Sequence, residues 1–212
     1  MKEKKIWEQS DEINSHLKFG KHIEKNINLL NDLLSQANVS KNDLNHILDW
    51  GPGGGWLSRD IGGRKLFLFD VVENHELIQR KNCKDKFEQI EFYDVSGENY
   101  PSSLNYDIDI AIMFSVIYHM PSLEYVKNAM EQLNIYKPKY IAIRNVFTDE
   151  NNWECSEFEK NTFLRMNVMN VDKFAQLLPE YEIIGKLKRR KATFLNNIKC
   201  FSQSFIFKRI EK

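Results

Sequence analysis

His46-Ile47-Leu48-Asp49-Trp50-Gly51-Pro52-Gly53-Gly54-Gly55 carries a short apolar run directly into four glycines within five residues. A run of this length suits a buried strand. Glycines immediately behind it suit a sharp turn, where the main chain can approach a ligand with no Cβ in the way. A strand, a glycine turn and a following helix form the arrangement found at the carboxyl ends of strands in open α/β sheets, where their ligands bind. A glycine cluster alone is equally consistent with a plain tight turn, so the sequence on either side decides.

Four more apolar runs follow, at 65–72 (KLFLFDVV), 89–95 (QIEFYDV), 108–116 (IDIAIMFSV) and 139–146 (KYIAIRNV). Stretches of helical composition separate them, notably 73–84 and 123–135. Strands that alternate with helices and are apolar on both faces imply a mainly parallel sheet covered on both sides. Beyond the fifth run come a helix near 171–178 and two strand-like runs at 181–188 and 201–208. The linker between those two runs is short for a helical crossover, which predicts an antiparallel pair at the C-terminal edge. Upstream, residues 6–37 read as helical, with Ile23, Ile27, Leu30 and Leu34 forming one buried stripe. Ser40 can cap a short turn before the first strand. The predicted fold is therefore α/β and doubly wound. It has a mainly parallel seven-stranded sheet, an antiparallel C-terminal strand and an N-terminal helical cap over 1–40, with the principal domain over 41–212.

Lys+Arg and Asp+Glu balance at 30 each over 212 residues, so no global field draws in nucleic acid or an anionic membrane. Cys83, Cys155 and Cys200 are odd in number and far apart, which fits neither a disulfide framework nor a zinc site. The N-terminus leads into polar sequence rather than a signal peptide's apolar run, and no stretch approaches the ~18 apolar residues of a membrane span. These features predict a soluble, cytoplasmic protein with no membrane partner; they disfavour a nucleic-acid partner, though a local basic patch stays possible, and they name no metal ligand while leaving a metal requirement open.

Two further acids give the glycine turn its meaning. Asp70 follows Asp49 by 21 residues and lies near the end of the second apolar run, where a carboxylate can accept both hydroxyls of a ribose. Asp94 lies near the end of the third, and an acceptor there can take the amino group of an adenine. Solvated surface charge would rarely place three acids at the ends of successive strands.

With these motifs the sequence resembles the class I S-adenosylmethionine-dependent methyltransferases. Their first motif, an apolar strand ending in an acid and then x-G-x-G-x-G, reads here as Ile47-Leu48-Asp49-Trp50-Gly51-Pro52-Gly53-Gly54-Gly55. The second is matched by Phe69-Asp70-Val71, and the third by Phe92-Tyr93-Asp94-Val95. The fourth strand and its exit, 109–120 (DIAIMFSVIYHM), also look like the family. The resemblance spans 46–212 and implies a Rossmann-like fold with S-adenosylmethionine as cofactor. It implies that Gly51 and Gly53 pass the methionine part of the cofactor, with Asp49 nearby. Asp70, followed by Val71, would hold the ribose hydroxyls, Asp94 and the Val95 amide would face the adenine, and Phe114 and Ser115 would line the inner side. Pro52 departs from the pattern by removing a backbone donor from the loop. A nicotinamide dehydrogenase would need glycine or alanine at position 56, where Trp56 stands.

His119 should lie near the cofactor's methyl group, where it can act as general base or simply hydrogen-bond the loop. Trp7, His16 and His22 lie in the helical cap, which can close over a site or pack on the sheet. Trp7, His16, Tyr118, Arg144 and Asn145 are the candidate substrate contacts. Arg144, Asn145, Asp149 and Glu150 fall at or past the end of the fifth strand, and Arg144 suits a phosphate or carboxylate. Lys186, Lys188, Arg189, Arg190 and Lys191 form a basic run at the expected turn between the last two strands, which reads as a solvated hairpin end or an RNA contact. The expected function is methylation of a small molecule at a hydroxyl. The alternatives are an RNA or protein methyltransferase using residues 186–191, and a cofactor-binding partner protein without catalysis.

Overall fold

The computed structural model describes residues 18–71, 75–150, 154–158, 165–195 and 198–211. Helix α1 (Lys21–Gln36) starts after Gly20, whose backbone is extended. The helix expected from residue 6 is thus observed only from Lys21, and 1–17 lie outside the described residues. Ser40 accepts a hydrogen bond from the Asn42 amide at 3.2 Å and opens a single 3₁₀ turn (Lys41–Asp43). Strand β1 (His46–Trp50), helix α2 (Trp56–Ile61), β2 (Lys65–Asp70), α3 (Glu76–Cys83), β3 (Gln89–Asp94) and β4 (Ile110–Phe114) follow. Helix α4 (Leu123–Tyr136) leads to β5 (Tyr140–Thr148), β6 (Glu154–Phe158), β7 (Arg165–Asn170) and α5 (Val171–Gln176). Strands β8 (Tyr181–Lys186), β9 (Arg190–Leu195) and β10 (Ile198–Arg209) end the chain.

The main path of the sheet runs β3-β2-β1-β4-β5-β10-β8. Neighbours from β3 to β5 are parallel, and β10 is antiparallel to both β5 and β8. The chain builds outward from β1 to β3, then returns to place β4 on the other side of β1. The topological switch point lies between β1 and β4, where open α/β sheets bind ligands.

Three details differ from the sequence expectation. The main path has the expected seven strands, and three more lie off it because β5 and β10 outrun their neighbours. β4 covers β5 only from Tyr140 to Arg144, and β7 pairs with the free end at Phe147 and Thr148, carrying β6 with it. β9 likewise pairs with the first half of β10. The antiparallel strand is second from the edge, since β8 lies outside it. The basic run therefore crosses from the end of β8 into β9 and is not the tip of a β8–β10 hairpin.

Side chains alternate between the two faces of the sheet. On one face Leu29, Leu30, Leu33 and Leu34 of α1 share a core with Ile47, Leu66, Leu68, Ile110, Ile112, Ala142 and Ile206. On the other, Val126, Ala129, Met130 and Leu133 of α4 pack with Leu48, Phe67, Phe69, Met113, Ile143 and Phe205. The described part of the expected cap is thus a layer of the sheet with no core of its own. Leu33 is fully buried, so Leu33→Ala should cost about 2–5 kcal/mol. Urea unfolding should show a lower midpoint, and an unchanged midpoint would mean that α1 does not share this core.

Candidate active site

The glycine turn sits at the switch point and touches the strand on its far side. The Gly51 amide donates to the Phe69 carbonyl at 2.7 Å, and Gly51 has φ +66°. A Cβ at Gly51 would stand 2.3 Å from Val116 Cγ2, just past β4, so glycine is required both by conformation and by space. Helix α3 then holds three successive carbonyls of the turn. Gln79 Nε2 donates to Gly53 O and Asn82 Nδ2 to Gly54 O, each at 2.9 Å, while Cys83 Sγ donates to Gly55 O at 3.3 Å. Positions 79, 82 and 83 share one face of a helix. Sequence reading missed all three residues, and their only signal was uncharged polar side chains at helical spacing in a charged segment.

The three acids are placed as expected at strand ends, but in different states. Asp49 is buried and accepts from the Ser58 hydroxyl. Burial pushes its carboxyl up to about 7 against the lowering effect of Ser58, and the charge of Asp70 adds to the rise. In Asp70, also buried, Oδ1 accepts from the Val71 amide and Oδ2 from Gln79 Nε2, each at 2.7 Å. His75 Nδ1 stands 3.5 Å from the same Oδ2. A carboxylate has about four lone-pair sites, so two bonds leave room for more. One Gln79 nitrogen therefore couples the acid to the glycine turn. Asp94 Oδ1 accepts from the Ser96 amide at 2.8 Å. The Val95 amide donates to the Asp70 carbonyl at 2.9 Å, which corrects the expectation that it faces an adenine. The Val95 carbonyl is held from above by the Tyr125 hydroxyl at 2.7 Å.

Phe114 is buried at the end of β4, and Ser115 follows with φ +62°. A non-glycine residue in that region is held there by its surroundings, commonly at functional sites. Here Arg144 supplies both constraints: its carbonyl accepts from the Ser115 amide at 2.9 Å, and its Nη1 donates to Ser115 Oγ at 2.9 Å. The same Nη1 reaches Asn26 Oδ1 of α1 at 2.6 Å. His119 closes the 3₁₀ turn Ile117–His119, and its ring lies 3.9 Å from that of Tyr118, centroid to centroid. Asn167 on β7 fixes that turn by donating from Nδ2 to Met120 O at 2.6 Å and to Ile117 O at 3.3 Å. This role was invisible in the sequence, where β7 itself was not recognised.

Asn145 is buried, and its Oδ1 has no hydrogen-bond partner among the described residues. Asp149 is paired with Arg189, whose Nη2 meets Oδ1 at 2.6 Å and whose guanidinium also covers Phe201. Trp56 turns its ring against Phe19 in an edge contact. His22 is on the exposed side of α1. Trp7 and His16 lie outside the described residues. The structure thus gathers Asp49, Gly51, Gly53, Asp70, Val71, Asp94 and Val95 at the ends of β1 to β3. Phe114, Ser115, Tyr118 and His119 lie at or past the end of β4, and beside them Arg144 and Asn145 stand in the middle of β5, which runs on to Thr148, rather than at its end as the sequence suggested.

The Asp49 carboxyl generates a pH prediction. Its folded pKa lies above its unfolded value, so the folded protein holds a proton that the unfolded chain releases between about pH 4 and about pH 7. Stability from this group falls as pH rises through that window, by on the order of a few kcal/mol. Asp49→Asn keeps an acceptor for Ser58 and removes the charge. Between pH 5 and pH 8 the ligand-free wild type should lose Tm relative to the variant; parallel Tm profiles would show that no charge is buried there.

No protein-family model matches the sequence, and no curated protein does. Solved structures do match. Magnesium protoporphyrin IX methyltransferase from Synechocystis PCC 6803, solved with bound S-adenosylmethionine, is 13% identical over 99% of this chain and 98% of its own, with a TM-score of 0.60. The small RNA methyltransferase HEN1 is 16% identical over 92% of this chain and 26% of its own, also at 0.60. The [4+2]-cyclase SpnF is 12% identical over 86% of this chain and 81% of its own, at 0.58. Their reactions differ while their architecture does not. At these identities the likeness shows the fold alone: this chain has the Rossmann-like fold of the class I S-adenosylmethionine-dependent methyltransferases.

Proposed function

We propose that the protein transfers a methyl group from S-adenosylmethionine to a hydroxyl of a small molecule. The observation that carries this reading is the placement of Asp49, Asp70 and Asp94 around a glycine turn at the switch point of a methyltransferase fold. The residues present suit the cofactor. Gly51 and Gly53 turn with positive φ and offer main chain without side chains, and Asp70 has acceptor capacity for two ribose hydroxyls. Phe114 and Ser115 would line the inner side, with Asp94 beside the adenine. The neighbouring methyltransferases differ in their acceptors, so the preference for a small hydroxyl compound rests on this chain. Its charge is balanced, and the basic run is partly committed, because Arg189 is bound to Asp149 and Phe201.

When bound, the cofactor supplies a methyl group on a sulfonium, which is open to direct displacement by the acceptor oxygen. The protein's part is alignment and proton removal. The glycine turn and Asp70 fix one reactant, while the end of β4 and the middle of β5 fix the other, converting an encounter into an oriented reaction. His119 takes the hydroxyl proton as the oxygen attacks, its place set by Asn167 beneath the turn. Tyr118, Arg144 and Asn145 contact the acceptor. Incubation with methyl-labelled cofactor and a panel of small alcohols and phenols tests the reading. Label should appear as a methyl ether; label transferred only to RNA or protein, or to no acceptor, would overturn it.

Three variants test these roles. Asp70→Ala should weaken S-adenosylhomocysteine binding by roughly ten- to a hundredfold, and Gly53→Val, at φ +55°, should abolish it while the far-ultraviolet circular dichroism stays unchanged. Calorimetry that finds wild-type affinity in either variant would remove that residue from the site. His119→Ala should lower kcat by about a hundredfold or more, with little change in cofactor affinity. The wild-type rate should fall on the acid side as the imidazole protonates, and the variant should lack that limb. Unchanged turnover would exclude His119 as the base.

A further inference from the structure

We infer that the methyl acceptor is an anion whose carboxylate or phosphate docks on Arg144, with Arg190 as a second positive charge. The inference rests on the methyl-transfer reading and names the class of its acceptor. Arg144 lies on β5 opposite Phe114, the last residue of β4, and is bonded to Ser115 just past that strand's end. Its guanidinium is half-buried, and burial pushes its pKa down. A charge withdrawn from water normally acquires a counter-ion. Arg59, Arg64, Arg80 and Arg189 each have one, in Asp85, Glu88, Glu76 and Asp149. Arg144 has none among the described residues. Its hydrogen bonds go from one nitrogen to two neutral oxygens, Ser115 Oγ and Asn26 Oδ1, and Nε and Nη2 donate to no described residue.

The surroundings add to this imbalance. Arg190, exposed at the start of β9, lies opposite Ser202 of β10, which in turn lies opposite Val146 of β5, two residues along from Arg144, and its charge opposes that of Arg144. Two like charges on neighbouring strands are offset when an oxyanion binds between them. The free edge of a guanidinium presents parallel donors to such a group, which a lysine cannot do. Held there, the acceptor's charged end is anchored at β5, and the rest of the molecule extends toward Tyr118 and His119. The three-stranded addition supports this geometry, because β9 carries Arg190 and β7 holds the His119 turn.

The test uses the full chain saturated with S-adenosylhomocysteine, with inorganic phosphate, benzoate and neutral benzamide as probes at constant ionic strength. Thermal shift and calorimetry should show saturable binding of phosphate or benzoate and none of benzamide. The tighter of the two anions assigns the charged group. Arg144→Gln should weaken that binding at least tenfold and Arg190→Gln severalfold. Arg144→Lys keeps the charge and the reach to Ser115; it should fold and bind the anion more weakly than wild type. Anion binding that is absent in the wild type, matched by benzamide, or unaltered in Arg144→Lys and Arg190→Gln would overturn the inference. Loss of S-adenosylhomocysteine binding by the wild type would instead overturn the methyl-transfer reading, so the two failures are distinct.

Discussion

A turn built from Gly51, Pro52, Gly53, Gly54 and Gly55 has almost no side chain with which to hold its own shape, so its geometry is fixed from outside. Helix α3 does this with Gln79, Asn82 and Cys83, which take the carbonyls of Gly53, Gly54 and Gly55 in order. The same Gln79 nitrogen bonds Asp70 Oδ2, so the glycine turn and the second acid move as one unit. Everything proposed for the cofactor depends on that bridge. Each bond is worth about 1 kcal/mol in stability, yet together they remove the freedom that glycine brings, and a preorganised site loses less on binding.

The second constraint is electrostatic. Asp49 and Asp70 stand near the ends of adjacent strands, two residues apart in register, with Asp49 opposite Leu68. Both are buried. The two carboxylates oppose each other, and burial adds the larger penalty, which leaves Asp49 near neutrality between its charged and uncharged forms at about pH 7. On the other side of the switch point the sign is reversed. Arg144, which has no carboxylate partner among the described residues, brings positive charge beside the end of β4, whereas β1 and β2 bring acids. A site with this polarity suits a cationic sulfonium on one side and an anionic acceptor on the other, and it favours their meeting by field as well as by shape.

The parallel core and the acids were legible because both follow from local rules. Apolar runs such as 65–72 mark buried strands, and an acid at the end of each run must fall on the carboxyl edge. Ser40 as a cap was legible for the same reason. What escaped were features decided across the sheet. Strand β7 exists because β5 outruns β4, a difference in length visible only once both strands are paired. β9 was hidden by its basic residues, which read as a hairpin tip. The Val95 amide was assigned to a ligand, but strand exit geometry gives it to Asp70. Gln79, Asn82 and Asn167 act on backbone carbonyls distant in sequence, and no motif encodes such contacts.

Calorimetric titration of the wild-type protein with S-adenosylhomocysteine, and separately with a nicotinamide dinucleotide, tests the central claim most directly. The account predicts saturable binding of S-adenosylhomocysteine at one site per chain and none of the dinucleotide. Binding of the dinucleotide with no S-adenosylhomocysteine heat would contradict it.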